Sequence, residues 1–238
     1  MSRSAAKISP MHSPRSAPPT PPAHTPAAAA ARTGALLAVL SAVLLTLVAL
    51  SWSPLMSFDR TVAEGLHGWA VTEPGLTGVS RVLTDWVWDP WTMRALLAAA
   101  VVWLWWLRER LLAVWVAVTS AVGTFVQQGL KSAVGQERPH WPDPVDSAHY
   151  AAFPSGHAMT AMVSWVLLLW LLRRHGAQGR LWHWTIVAAV VSVVGVGLTR
   201  LYLGVHWPSD VVGGWLLGAC FAALSIAAYE RAVLARQH

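Results

Sequence analysis

Residues 211–229 read VVGGWLLGACFAALSIAAY, nineteen residues without a charge. At a helical rise of about 1.5 Å per residue such a stretch crosses nearly the whole of a bilayer's hydrocarbon core, about 30 Å. Five more stretches upstream have the same character: Gly34–Trp52, Trp91–Leu107, Leu111–Gly129, Gly156–Leu172 and His183–Leu198. The expected fold is therefore all-α, a polytopic bundle of six transmembrane helices. The connections differ in length. Residues 53–90 form a long one, whose Phe58–Ala70 part reads as a short amphipathic helix, and residues 130–155 form a second that is polar and proline-rich. The other connections are short, and no internal repeat is evident.

Composition agrees with this. Hydrophobic residues make up 55% of the 238 and charged residues 12%, against about 25% charged in a typical globular domain. The mean hydropathy is +0.46. These values exclude an ordinary soluble domain. The formal charge of +6 would suit a nucleic-acid partner. With 16 tryptophans and long apolar runs, membrane orientation accounts for it better, and no nucleic acid is expected. The one cysteine, Cys220, excludes an intrachain disulfide and any zinc site built from several cysteines.

Residues 1–32 stand apart: seven of the 15 prolines, many Ser and Ala, and no acid. They read as a disordered, basic cytoplasmic tail, followed by a membrane domain over residues 33–238. The run after the tail lacks a clear small-x-small cleavage site and reads as a retained first span. With the N-terminus placed in the cytoplasm, the inner side holds 11 cations and two acids, Glu109 and Glu230, a net of +9. The outer side holds six cations and nine acids, a net of −3. The positive-inside rule selects this orientation, with both termini cytoplasmic. Trp52, Trp88, Trp91, Trp141, Trp182, Trp184 and Trp207 fall near span ends, as expected of an interfacial aromatic belt.

Three clusters fall on the outer side. Lys131 and Arg138 are seven residues apart, two helical turns, so a continuing helix would carry both on one face until Pro139 stops it. Such a pair can clamp a dianion, and Arg offers phosphate a bidentate fork. Phe153-Pro154-Ser155-Gly156-His157 opens the fourth span. Ser155 suits an N-cap, Gly156 allows close backbone approach, and the new helix's free amides suit an anion beside His157, which could deliver a proton. Third come Thr199-Arg200 and His206, four residues before Asp210, with Pro208 marking a helix start whose first turn would stack the carboxylate against the imidazole. A carboxylate so placed fixes the imidazole tautomer and leaves the other ring nitrogen free to attack. Each cluster alone also fits a plain interfacial cation pair, a capped helix start or a structural His–Asp pair. Their convergence on one face makes a functional site the expectation: phosphoryl transfer through a covalent intermediate.

Lys131-x6-Arg138-Pro139, Pro154-Ser155-Gly156-His157 and Arg200-x5-His206-x3-Asp210 resemble the three-part signature of the type 2 phosphatidic acid phosphatase superfamily. That superfamily includes membrane lipid phosphatases, glucose-6-phosphatase and the soluble vanadium-dependent haloperoxidases. Ten fixed positions at these spacings arise by chance on the order of once in a billion chains. The signature spans residues 131–210. Thr199 departs from the family's usual Ser but keeps a hydroxyl.

The resemblance implies that His206 is the nucleophile on phosphorus and forms a phosphohistidine. It implies that Asp210 orients His206 and that His157 protonates the leaving group and then helps activate water. Lys131, Arg138, Ser155, Gly156 and Arg200 would hold the phosphoryl oxygens. No cofactor and no metal are implied, because three cations do the electrostatic work. The expected protein is an integral-membrane, metal-independent lipid phosphate or diphosphate phosphatase of the cell membrane. Its partners are the membrane and a lipid phosphate held at the outer face. Among family substrates, undecaprenyl diphosphate leads, with phosphatidylglycerol phosphate and phosphatidic acid as alternatives. Glu137, Asp143, Asp146 and His149, in the loop above the site, either select headgroups or are merely solvated.

Other readings stay open: a lipid phosphotransferase with an alcohol as acceptor, a metallohydrolase ligated by His157, His206 and Asp210, and a non-enzymatic phospholipid transporter. Three nearby cations oppose a divalent metal, and transporters tend to keep their charges near the bilayer midplane. The haloperoxidase reading fits least, since those relatives are soluble. No oligomeric state follows from the sequence.

Overall fold

Apolar stretches of this length fold as helices because a bilayer offers backbone polar groups no partner but their own chain. In the computed structural model, which describes residues 26–236, the elements are all helical. They are α1 (Pro26–Ala49), α2 (Ser53–Thr72), α3 (Pro74–Val82) with a π-helical turn over Leu83–Val87, α4 (Pro90–Trp106), α5 (Arg110–Val134), α6 (Gly156–Arg174), α7 (Gly179–Tyr202) and α8 (Pro208–Leu234). No strand occurs among the described residues.

Five helices, α1, α5, α6, α7 and α8, are long and apolar enough to cross a membrane. The expected second span is α4. Its 17 residues rise about 25 Å, short of the criterion that the other five meet. The bundle turns apolar side chains outward, among them Leu36, Phe125 and Val190. That surface suits hydrocarbon and would be a liability in water.

Helix ends moved relative to the sequence expectation. Helix α1 begins at Pro26, eight residues before Gly34, so the part of the expected disordered tail over residues 26–32 is helical. Proline is favoured in a helix's first turn, and the alanine run behind it has the highest helix propensity. The rest of the expected tail, residues 1–25, lies outside the described residues. The amphipathic segment expected at Phe58–Ala70 is the longer α2, which buries Asp59, Ala63, His67 and Ala70 along one face. Helix α3 was not expected.

Not every tryptophan near a span end belongs to an aromatic belt. Trp52, Trp91 and Trp184 are exposed. Trp88 is buried against Gly195, where an added Cβ would meet its ring at 2.3 Å. Trp141 stacks on His67 with ring centroids 4.2 Å apart.

Helix α8 packs between α1 and α6. At one end of the bundle Leu104, Leu112, Val116, Leu167 and Leu171 form the main core. Toward the other end the α6–α8 crossing is made of backbone. A Cβ on Gly214 would lie 2.7 Å from the Ser155 carbonyl oxygen, and one on Gly218 would lie 2.8 Å from that of Met159. Small residues let membrane helices approach in this way, and here the approach sets the starts of α6 and α8 side by side. Gly214→Ala must push α8 off α6, at a cost of about 1–3 kcal/mol. We expect a lower melting temperature in detergent and impaired catalysis. Unchanged melting and turnover would mean that the two helices are not so tightly apposed.

Candidate active site

Helix α5 carries Lys131 in its last turn and stops at Gly135, whose φ of 63° is left-handed and whose N–H donates to the Lys131 carbonyl at 3.0 Å. Glycine takes that conformation without a Cβ penalty. The expected single helix face bearing both Lys131 and Arg138 is therefore not formed. The stop comes at Gly135, before Pro139, and Arg138 lies on the loop that follows.

That loop still returns Arg138 to the site. Its Nε donates to the Tyr150 carbonyl at 2.9 Å, its Nη2 to that of His149 at 3.3 Å, and its Nη1 to that of Val205. Lys131 Nζ donates to the carbonyls of Ala151 and Ala152. Neutral carbonyls fix both cations without cancelling their charge. Burial, with Arg200 nearby, lowers the Arg138 pKa to about 10, so it stays charged at neutral pH. Arg200, near the end of α7, is buried and pairs with Asp146 at 3.7 Å, while its Nε has no partner.

The nucleophile candidate lies between α7 and α8. His206 Nδ1 is 3.1 Å from Asp210 Oδ2, an oxygen that also accepts the Trp207 N–H at 2.8 Å. Paired with that acceptor, Nδ1 carries the ring proton. Nε2 then presents its lone pair, and it faces Arg138 Nη1 at 3.2 Å. Burial, reinforced by Arg138, Arg200 and Lys131, holds the His206 pKa well below its usual range. The free site thus contains a neutral imidazole, tautomer fixed, with its open nitrogen against a cation.

Helix α6 supplies the second histidine. Ser155 occupies the N-cap position as expected, but its side chain makes no capping bond and its buried Oγ has no partner. Its backbone N–H instead donates to the Asp210 carbonyl at 3.0 Å, tying the start of α6 to the first turn of α8. Gly156 sits close to Gln127, whose Nε2 would be 3.1 Å from an added Cβ. His157, one residue on, has its Nε2 4.0 Å from Asp89 Oδ2.

Lys131, Arg138, Gly156, His157, Arg200 and His206 all line one cleft of about 580 Å3. Ser155 and Asp210 are fully buried behind it. Asp146 and His149 also reach this cleft, whereas Glu137 and Asp143 do not. An acidic wall was not expected: Asp85, from the π-helical turn, and Asp89, from the start of α4, face the cations across the cleft. Burial, with Asp146 adding to it, raises the Asp85 pKa. Among the described residues no group of three His, Cys, Asp or Glu side chains is arranged to hold a metal ion.

Fold and cleft together describe a helical membrane protein that can hold a tetrahedral oxyanion between cations, with a neutral imidazole nitrogen directed at it. Residues 112–233, more than half of the chain, match the model of the PAP2 superfamily, and the chain belongs to that family. It is 36% identical over 85 residues to an undecaprenyl-diphosphatase of Sulfolobus acidocaldarius, covering 36% of this chain and 35% of the relative. It is 34% identical over 93 residues to phosphatidylglycerophosphatase B of Bacillus subtilis, covering 37% and 44%. Each match thus spans less than half of the relative's length. The crystal structure of a transmembrane PAP2-type phosphatidylglycerolphosphate phosphatase from Bacillus subtilis superimposes with a TM-score of 0.74 at 22% identity, covering 84% of this chain and 96% of that one. That likeness shows a shared fold, and with the apolar helices it supports a multi-pass membrane protein.

Proposed function

We propose that the protein is an integral-membrane lipid phosphate or diphosphate phosphatase that works through a phosphohistidine on His206. The observation that carries this reading is the placement of His206 Nε2, 3.2 Å from Arg138 with Nδ1 committed to Asp210. A phosphoryl group bound to Arg138, Lys131 and Arg200 would meet that lone pair. In the first step the Nε2–P bond forms as the P–O bond to the lipid breaks. His157 gives its proton to the departing oxygen, and Asp210 stabilises the cationic phosphoimidazole. Water then attacks phosphorus, yields its proton to His157, and frees inorganic phosphate and His206.

In this reading α4 is the sixth span, its shortness made up by the exposed Trp91 and Trp106 at its two ends. The +9 to −3 charge division supports an orientation with both termini in the cytoplasm and the cleft at the outer face, at the depth of a lipid headgroup. An undecaprenyl diphosphate is the favoured substrate, following the relative of that name. Phosphatidylglycerol phosphate is the second reading, favoured by the structural neighbour whose length this chain nearly spans.

The test is phosphate release by purified protein from polyprenyl diphosphate, phosphatidylglycerol phosphate, phosphatidic acid and a soluble phosphoester, in EDTA. We expect release from the lipids undiminished by the chelator. Activity lost in EDTA and restored by zinc would favour the metallohydrolase. Phosphate moved to an added alcohol would favour the transferase. Lipid binding without release would favour a transporter, and activity confined to the soluble ester would overturn the lipid assignment.

A further inference from the structure

Behind the His206–Asp210 pair lies a buried carboxylate that belongs to no signature motif and falls outside the family-matched residues. Asp59, on α2, is 2% exposed. Its Oδ1 accepts the Ser209 backbone N–H at 2.9 Å and its Oδ2 accepts the Ser209 hydroxyl at 2.5 Å. Ser209 immediately precedes Asp210 in the first turn of α8, where backbone amides lack partners within the helix. Pro208 has no N–H, and the Trp207 N–H is taken by Asp210 Oδ2. The Ser209 amide is the next donor in line, and Asp59 satisfies it from a different helix. Burial of a second carboxylate so close to Asp210 costs free energy. That burial raises the Asp59 pKa, against the opposing pull of its two bonds to Ser209.

We propose that Asp59 is a positioning residue for phosphoryl transfer: its paired hydrogen bonds to Ser209 fix the first turn of α8, and so hold Asp210 in register with His206. Three contacts then lock that turn: the bond pair from Ser209 to Asp59, the Ser155 N–H to the Asp210 carbonyl, and the Trp207 N–H to the Asp210 carboxylate. The first comes from α2, a helix that supplies nothing to the floor of the cleft. Loss of it would let Asp210 drift from Nδ1 while Lys131, Arg138 and Arg200 stay where their own partners hold them. Chemistry should therefore suffer and phosphate binding should not.

This inference rests on the phosphatase reading. The test uses the full chain in detergent, with kcat and KM measured on whichever panel lipid the wild type hydrolyses fastest. A parallel measurement follows the His206 ring by 15N NMR, its signals assigned by their loss in His206→Ala. In Asp59→Asn the amide oxygen can keep the Ser209 N–H, but the amide nitrogen can meet the Ser209 hydroxyl only as a donor, so the charge-assisted bond from that hydroxyl is replaced by a weaker, reversed one. We expect kcat to fall about 10-fold, and about 100-fold in Asp59→Ala, as for small misplacements of a catalytic group, with KM changed less than about 2-fold. Ser209→Ala keeps the backbone bond and should lose only about 3-fold. Combined with Asp59→Ala it should add nothing further, since the two residues share one interaction. The 15N signals should show a smaller Nδ1–H fraction in both Asp59 variants.

An Asp59→Asn protein with wild-type kcat and an unchanged His206 signal overturns the proposal, whether or not Asp59→Ala folds. So does a fall in kcat that matches a fall in folded fraction. If the wild type releases phosphate from no lipid, the phosphatase reading fails instead, and the 15N comparison still decides whether Asp59 positions the ring.

Discussion

His206→Ala should abolish turnover, lowering kcat by about 10 000-fold or more, the scale seen when a catalytic nucleophile is removed. The cause is local. No other described side chain offers phosphorus a neutral nitrogen fixed by a carboxylate on one side and faced by a guanidinium on the other. The fold should survive: His206 is 1% exposed, but its hydrogen-bond partners keep others. Asp210 Oδ2 retains the Trp207 N–H, and Arg138 retains its carbonyls. Lipid binding to the variant should persist, because the three cations remain. Phosphate release within 10-fold of wild type, by the same scale of effects, would remove His206 from the nucleophile's role.

Replacing His157 with Ala should cost about 100- to 10 000-fold, the usual contribution of a general acid–base group, and the loss should depend on the leaving group. A departing lipid alkoxide is strongly basic and needs a proton. A departing lipid phosphate, released from a diphosphate, needs one much less, and a nitrophenolate barely at all. The deficit of His157→Ala should therefore be greatest on phosphatidic acid, smaller on polyprenyl diphosphate and smallest on nitrophenyl phosphate. Rates on the three substrates check this. Equal losses on all three would make His157 a binding or structural residue. It lies in the first turn of α6 in the cleft wall, with Asp89 4.0 Å away.

Some of this was legible in the sequence for physical reasons. Hydrocarbon demands long apolar helices, so windows such as residues 211–229 reveal themselves without any tertiary information. The signature spacings are equally direct: His206 and Asp210, four residues apart, meet across the start of α8, although His206 stands in the loop before Pro208 and not in the helical turn expected. Helix ends are a different matter, because a cap competes with other caps. Pro139 was a visible stop, yet Gly135 ends α5 four residues earlier, and Arg138 reaches His206 from a loop, with carbonyls of Tyr150, His149 and Val205 in place of a helix face. Asp59, Asp85 and Asp89 could not be read from spacing at all. They lie 117 to 151 residues from His206 or Asp210 in the chain and enter the site only through the packing of α2, the π-helical turn and α4. Their signal in the sequence was modest: acids in the first long connection of a chain with only 11 acids. Trp88 shows the converse, an apparent interfacial anchor that packing against Gly195 turns into core.

The most direct test of the account is to trap the phosphoenzyme. Purified protein would be quenched in alkali during turnover of a lipid labelled in its terminal phosphate, and the labelled peptide sequenced. The account predicts an acid-labile, base-stable phosphate on His206, absent from His206→Ala and accumulating in His157→Ala on a substrate with a good leaving group. Steady phosphate release with no trapped label, or label on any other residue, would contradict it.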